Sequence, residues 1–142
     1  MGREQVASIG AGLLVFLGIS QEDGEDEAHY ITDKIANLRI FDNDEGKFDR
    51  SALDEAAEVL VVSQFTLYGN TRKGRRPSFI QAAHPEQAES LVSRTAEILG
   101  ETGLKVTTGR FGAHMVVVLE NDGPVTIMLD SDDRKNPRHS SV

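Results

Sequence analysis

The sequence predicts a mixed α/β domain, an α+β or α/β hybrid in which two helices pack on a mixed β-sheet. Three observations predict it: an apolar run of strand length from Leu13 to Ile19, two stretches of helical periodicity, and a closing series of three short strand-like segments. A length of 142 residues suits one domain. Hydrophobic residues make up 39% of the chain, enough for a packed core rather than wholesale disorder.

The elements follow in order. Gly10–Ala11–Gly12 marks a turn, and the run from Leu13 is apolar on both faces, as in a strand buried on both sides. Ala28, Ile31, Ile35 and Leu38 recur at helical spacing, behind Glu25, Asp26 and Glu27, whose carboxylates suit the first turn of a helix. That helix ends near Leu38; Arg39–Ile40–Phe41 is extended, and Asp42 to Gly46 is a turn. Val59 to Val62 is a second central strand and runs directly into Ser63–Gln64–Phe65–Thr66–Leu67. Tyr68 to Ser78 is a Gly/Arg/Pro-rich loop. Pro85 opens a second helix with the stripe Ala88, Leu91, Val92, Thr95 and Leu99, and Gly100 ends it. Strands over Lys105 to Thr108, Met115 to Leu119 and Val125 to Leu129 complete the sheet, with Asn121–Asp122–Gly123–Pro124 between the last two. The domain spans 1–131, and Asp132 to Val142 is a polar, frayed tail.

Composition narrows the chemistry. The absence of cysteine removes disulfides, thiolate nucleophiles and cysteine metal sites together, and fits a reducing compartment. The run from Ala11 to Ile19 is too short to span a bilayer and has no basic flank like that of a signal peptide, so a soluble cytoplasmic protein is expected. A net charge of -8 steers the chain away from nucleic acid at long range, so any RNA must be held by a local basic patch. Arg72, Lys73, Arg75 and Arg76 form one, in a loop that Gly74 loosens and Pro77 stiffens.

Few side chains offer catalysis. His29, His84, His114 and His139 lack metal-ligand spacing and fit solvated surface positions, so no metal is expected. No Gly-x-Ser-x-Gly elbow is present. Ser63 to Leu67 leaves the end of a central strand, where exposed N–H groups can face a developing oxyanion, but the same pattern also fits Phe65 and Leu67 as core and the polar residues as a satisfied strand end. Asn121 to Pro124 in isolation is a hairpin turn whose Gly-Pro bond takes either isomer.

Taken together, Ser63–Gln64–Phe65–Thr66–Leu67 and Asn121–Asp122–Gly123–Pro124–Val125–Thr126 resemble the two signature motifs of the D-aminoacyl-tRNA deacylase family, in the family's order and at a similar separation. Between them, Asn70 to Phe79 resembles its basic loop, and Gly109 to Met115 the segment before its penultimate strand, so the resemblance extends from about Ile9 to Ser131. It implies one strand, two strand–helix units and three further strands, in a homodimer with the active site at the subunit interface. It implies hydrolysis of D-aminoacyl-tRNA, and of Gly-tRNA(Ala), without a cofactor or metal. Gly123 and Pro124 would enter the opposite subunit's pocket through a cis bond and reject L residues by collision. Ser63, Gln64, Phe65 and Thr66 would form the catalytic segment. Its backbone N–H groups would hold the oxyanion, and the tRNA's 2′-hydroxyl would act in place of a side-chain base. Thr66 is then a positioning residue. Phe65, Phe111 and Met115 would line the terminal-adenosine pocket, with Ala88 beside them. Arg72, Lys73, Arg75 and Arg76 would bind tRNA.

The opening Met1–Gly2–Arg3–Glu4–Gln5–Val6 departs from the family's usual first strand, Met-Arg-x-Val-Val-Gln-Arg-Val, and joins at the second arm of its hairpin. Three readings of that departure stand open: a misassigned start, which is favoured, a truncated sequence, or a protein that tolerates the loss. A product this short would have an exposed sheet edge and put activity and dimer geometry in question. Three other readings stay open: a paralogue with a trans Gly-Pro bond that clears an L-amino acid, a non-catalytic nucleic-acid-binding module, and an inactive form.

Overall fold

The computed structural model describes residues 4–135. Its centre is a parallel sheet of β1 (Gly12–Leu17), β4 (Glu58–Ser63) and β5 (Lys105–Thr108), with β4 in the middle. Between β1 and β4 the chain forms α1 (Glu25–Asn37), an antiparallel pair of β2 (Phe41–Asp42) and β3 (Phe48–Arg50), and the short helix α2 (Ala52–Glu55). Helix α3 (Pro85–Glu101) carries it from β4 to β5. The fold is mixed α/β as expected, with the antiparallel strands in a separate pair rather than in one mixed sheet.

Register and pleat decide which face is buried. Leu13, Val15 and Leu17 of β1 sit beside Val59, Val61 and Ser63 of β4, and Val59 sits beside Val106 of β5. This face packs against the helices: Val59, Ala36 and Leu99 are fully buried, and Val61 is nearly so. The opposite face carries Leu14 and Phe16 beside Leu60 and Val62, and Phe16 is 41% exposed. The expectation that the first strand is buried on both sides is therefore corrected, because the helices cover only one face.

Helix α1 begins where Glu27 Oε1 accepts the Gly24 N–H at 2.6 Å, with Glu25, Asp26 and Glu27 in its first turn. It buries Ala28, Thr32, Ile35 and Ala36. Helix α3 has Pro85 in its first turn and buries Ala88, Val92, Thr95, Ile98 and Leu99. Thr95 is tolerated there because its hydroxyl donates to the Leu91 carbonyl at 2.7 Å. Arg94 of α3 grips Glu25 of α1 with two hydrogen bonds, 2.8 and 3.0 Å, tying the two helices together.

Two expected strands are absent. Met115–Val116–Val117–Val118–Leu119 and Val125 to Leu129 have no regular ladder among the described residues. Their alternation is real: Val116 and Val118 are 81% and 88% exposed on either side of a half-buried Val117. A strand exists only with a partner, and no neighbouring backbone among the described residues supplies one. Sheet edges at β1 and β5 are both open among the described residues. Ser131–Lys135, mostly in the expected tail, is a 3-10 turn held to α1 by the Arg134–Glu27 ion pair, and Ser131 is buried. Residues 136–142, including His139, lie outside the described residues. Among those described, no helix is long and apolar enough to cross a membrane.

The ion pairs set the response to acid. Arg94 holds Glu25 below the usual carboxylate range, Arg134 does so for Glu27, Arg39 for Asp49, and the Ser51 N–H for Asp54. A lowered folded-state value means that the stability is complete above the ordinary carboxylate range, about pH 4, and is lost as pH falls through the lowered values. Asp23 acts oppositely, since burial raises it and its protonation relieves a cost. Each surface pair is worth little because solvent screens it, but four groups oppose one. The melting temperature is expected to fall as pH drops from about 5 to 3; a flat profile over that range would show that the pairs contribute nothing.

Candidate active site

The first motif sits where β4 ends. Ser63 pairs with Leu17, and the Gln64 N–H makes the last bond of the ladder, to the Leu17 carbonyl at 2.8 Å. The chain then turns into a 3-10 helix, Phe65–Tyr68, in which the Leu67 N–H donates to the Gln64 carbonyl at 3.2 Å and the Gly69 N–H to that of Thr66 at 2.9 Å. The N–H groups of Phe65 and Thr66, at the head of this turn, meet no acceptor among the described residues. The Gln64 amide Nε2 donates to Thr66 Oγ1, which fixes the two side chains against each other.

The bland alternative for this segment fails on burial. Phe65 and Leu67 are 54% and 52% exposed, so neither is core. An exposed aromatic and an exposed leucine beside free N–H groups make a contact surface rather than a strand end sealed for stability.

The basic loop is anchored beside this turn. Asn70 and Ser78 bond to each other across its base, N–H to carbonyl, at 2.7 and 2.9 Å, and Asn70 Oδ1 also accepts the Arg72 N–H at 2.9 Å. Arg72, Lys73, Arg75 and Arg76 are all exposed, and among the described residues none is ion-paired. Their charge is therefore available to an external anion.

Met115 comes close to the same strand end. A β-carbon built on Gly109 would lie 3.1 Å from the Met115 sulfur and 3.7 Å from Val62 Cγ2, so the thioether lies over Gly109 near the residue before Ser63. Phe111 is half-buried and packs on the core. Ala88 is 7% exposed within the core cluster, facing inward from the first turns of α3 rather than lining an open pocket.

The second motif forms its own turn. Asn121 Oδ1 accepts the Val125 N–H at 2.8 Å, and its Nδ2 donates to Thr126 Oγ1 at 3.1 Å. Within it the Gly123–Pro124 bond is cis, Gly123 has φ +140°, and both residues are exposed. No hydrogen bond or ring contact joins this turn to Ser63–Thr66 among the described residues.

His29, His84 and His114 are exposed and scattered, with His29 paired to Glu25 at 3.1 Å. Two depressions of about 210 and 250 Å³ flank Tyr68, away from the motif side chains. The larger is lined by Glu22, Asp23, Glu27 and Asp132, a negative wall unsuited to phosphate. Its charge shows at Tyr68, whose hydroxyl is pushed up by burial and then by Asp23. The reading from sequence placed Phe79 at the end of the basic loop but gave it no part in the site; it stacks edge-on against Phe65.

Comparison with known proteins bears on the family and the fold. The sequence model of the D-Tyr-tRNA(Tyr) deacylase family matches residues 1–130. A D-aminoacyl-tRNA deacylase of Roseiflexus sp. is 57% identical over 98% of this chain and 90% of its own. One from Dehalococcoides mccartyi is 55% identical over 95% and 88%. A Bacillus subtilis relative, described as an inactive D-aminoacyl-tRNA deacylase, is 53% identical over 92% and 99%. A solved structure described as a c-Myc DNA unwinding element binding protein superposes with a TM-score of 0.85 at 44% identity, over 91% of this chain and 88% of its own. Another, described as a probable eukaryotic D-amino acid tRNA deacylase, shares the fold with a TM-score of 0.62 at 15% identity, over 80% and 83%. By its sequence along almost its whole length, the chain belongs to the D-Tyr-tRNA(Tyr) deacylase family, hydrolases of the ester between amino acid and tRNA.

Proposed function

We propose that the chain hydrolyses D-aminoacyl-tRNA, and Gly-tRNA(Ala), in the cytoplasm, releasing the free amino acid and tRNA, with Ser63–Thr66 as its reaction centre. One observation carries this: the N–H groups of Phe65 and Thr66 stand without acceptors, among the described residues, at the exposed end of the buried central strand. An aminoacyl ester is already activated, so its hydrolysis needs a positioned water and donors aimed at the developing oxyanion. The two N–H groups supply the donors. The attacking water is oriented by the 2′-hydroxyl of the terminal adenosine, and Phe65 and Met115 support that base. Gln64 and Thr66 are bonded to each other and set the shape of the turn. Because the donors are backbone N–H groups and no side chain is the nucleophile, Thr66→Ala is expected to retain substantial hydrolysis, and complete loss in a folded Thr66→Ala protein would make the threonine a nucleophile.

Chiral choice belongs to Gly123 and Pro124. Their turn is exposed and unattached to the first motif within one chain, which fits insertion into the pocket of a second copy. The exposed Val116, Val118 and Met128 give such a homodimer an apolar surface to bury. Arg72, Lys73, Arg75 and Arg76 hold tRNA phosphates at the rim. Release of D-tyrosine from D-Tyr-tRNA by purified protein, with sedimentation to establish the dimer, tests the reading; a monomer that releases nothing would overturn it.

A second reading has specific support. One close relative is described as inactive and another as a DNA unwinding element binding protein, so a binding module on the same fold is the competing account. A salt titration of binding to unrelated RNA separates the two. A steep slope with no ester hydrolysis favours the binding module.

A further inference from the structure

We propose that Phe79 is a positioning residue, whose ring fixes the Phe65–Thr66 turn and ties it to the base of the basic loop. The inference rests on reading that turn as the reaction centre. Phe65 leaves the end of β4 with half its surface exposed, so few neighbours hold its ring. Phe79 supplies the missing wall: the two ring centroids are 5.1 Å apart and the planes meet at 71°, an edge-to-face contact. Phe79 follows directly on Ser78, which closes the loop by its paired bonds to Asn70. Gly69 makes room for this ring. A β-carbon there would lie 3.1 Å from Phe79 Cε1 and 3.0 Å from the Thr66 carbonyl oxygen. The Gly69 N–H donates to that same carbonyl, so one small residue touches both the turn and the ring behind it. The arrangement runs from the Arg72–Arg76 loop through the Asn70–Ser78 clasp and Phe79 to Phe65. A side chain that sets the angle of Phe65 thereby sets where the neighbouring N–H groups point.

Phe79 acts through Phe65 and touches no reacting atom. Since the basic loop holds the phosphates and Phe65 only the terminal base, its loss shows mainly in turnover, with at most a small change in tRNA binding. Phe79→Leu is expected to lower kcat on D-Tyr-tRNA roughly tenfold or more, the scale of a misplacement well under 1 Å to about 1 Å. KM for the tRNA should change by no more than about twofold. Phe79→Tyr keeps the ring edge and should restore turnover. In amide NMR spectra of the full chain, the Phe65 and Thr66 signals should shift or broaden in Phe79→Leu while those of β1 and α3 stay in place. Should Phe79→Leu fail to fold, Gly69→Ala presses on the same ring and carbonyl and is expected to give the same loss of kcat. Unchanged kcat together with unchanged Phe65 and Thr66 signals in a folded variant overturns the proposal, as does equal loss in Phe79→Tyr. If the unsubstituted protein releases no D-tyrosine, the reaction-centre reading fails, and the amide signals still decide whether Phe79 holds the turn.

Discussion

Gly123→Val is expected to reduce hydrolysis of D-Tyr-tRNA at least about 100-fold while leaving the protein folded, the scale that misplacing a reacting group by about 1 Å reaches. At φ +140° an L side chain is strained whatever the space around it. Space is also lacking: a β-carbon at Gly123 would come within 2.7 Å of Val125 Cγ2 and 3.1 Å of the Val125 nitrogen. That nitrogen donates to Asn121 Oδ1, the bond that shapes the turn, so the branched residue distorts the turn at its centre. The turn is exposed and stands apart from the core cluster, which keeps the damage local. Single-turnover deacylation alongside a thermal melt measures both halves of the expectation. Normal turnover in a folded Gly123→Val protein would remove the second motif from substrate selection.

Reversing two charges in the loop should have the next largest effect. The double variant Arg75→Glu, Arg76→Glu is expected to weaken tRNA binding about 100-fold at low salt, with kcat at saturation little changed. Both residues are exposed and free of ion pairs among the described residues, so nothing inside the fold depends on them. The loop's conformation is set instead by the Asn70–Ser78 clasp, which the variant leaves intact. Every phosphate left unneutralised should reduce the slope of log affinity against log salt by about 0.7 to 0.9, so two of them reduce it by about 1.4 to 1.8. Unchanged affinity at low salt would show the loop to be solvated only. Against a net charge of -8, this cluster of four cations is a local patch where a polyanion gains from approach.

The regular elements were legible where periodicity and burial coincide. Val59 to Val62 and Lys105 to Thr108 match β4 and β5 because β-branched residues mark a strand with neighbours, and the stripe from Ala88 to Leu99 marks α3 through its buried face. Met115 to Leu119 and Val125 to Leu129 show the limit of that logic: their composition is that of strands, but pairing depends on a partner that local sequence does not name. The hairpin of β2 and β3 and the single turn of α2 are too short for any period to show. For the proposed site, the signature segments pointed to Ser63–Thr66 and Gly123–Pro124, and the basic loop was plain from charge alone. The exposure of Phe65 and Leu67, the inward position of Ala88 and the Phe79 ring pair were not, because each depends on how distant segments pack. Phe65 and Leu67 carry core-like side chains at a place where the fold stops covering them, and that mismatch is the reason for proposing the surface as the site.

The central claim is that this surface removes D-amino acids from tRNA and spares L-amino acids. Its most direct test follows ester hydrolysis of D-Tyr-tRNA and L-Tyr-tRNA side by side with the purified chain. The account predicts rapid loss of the D ester while the L ester decays at the rate of buffer alone. Equal rates for the two esters, or no enzymatic hydrolysis of either, would contradict it.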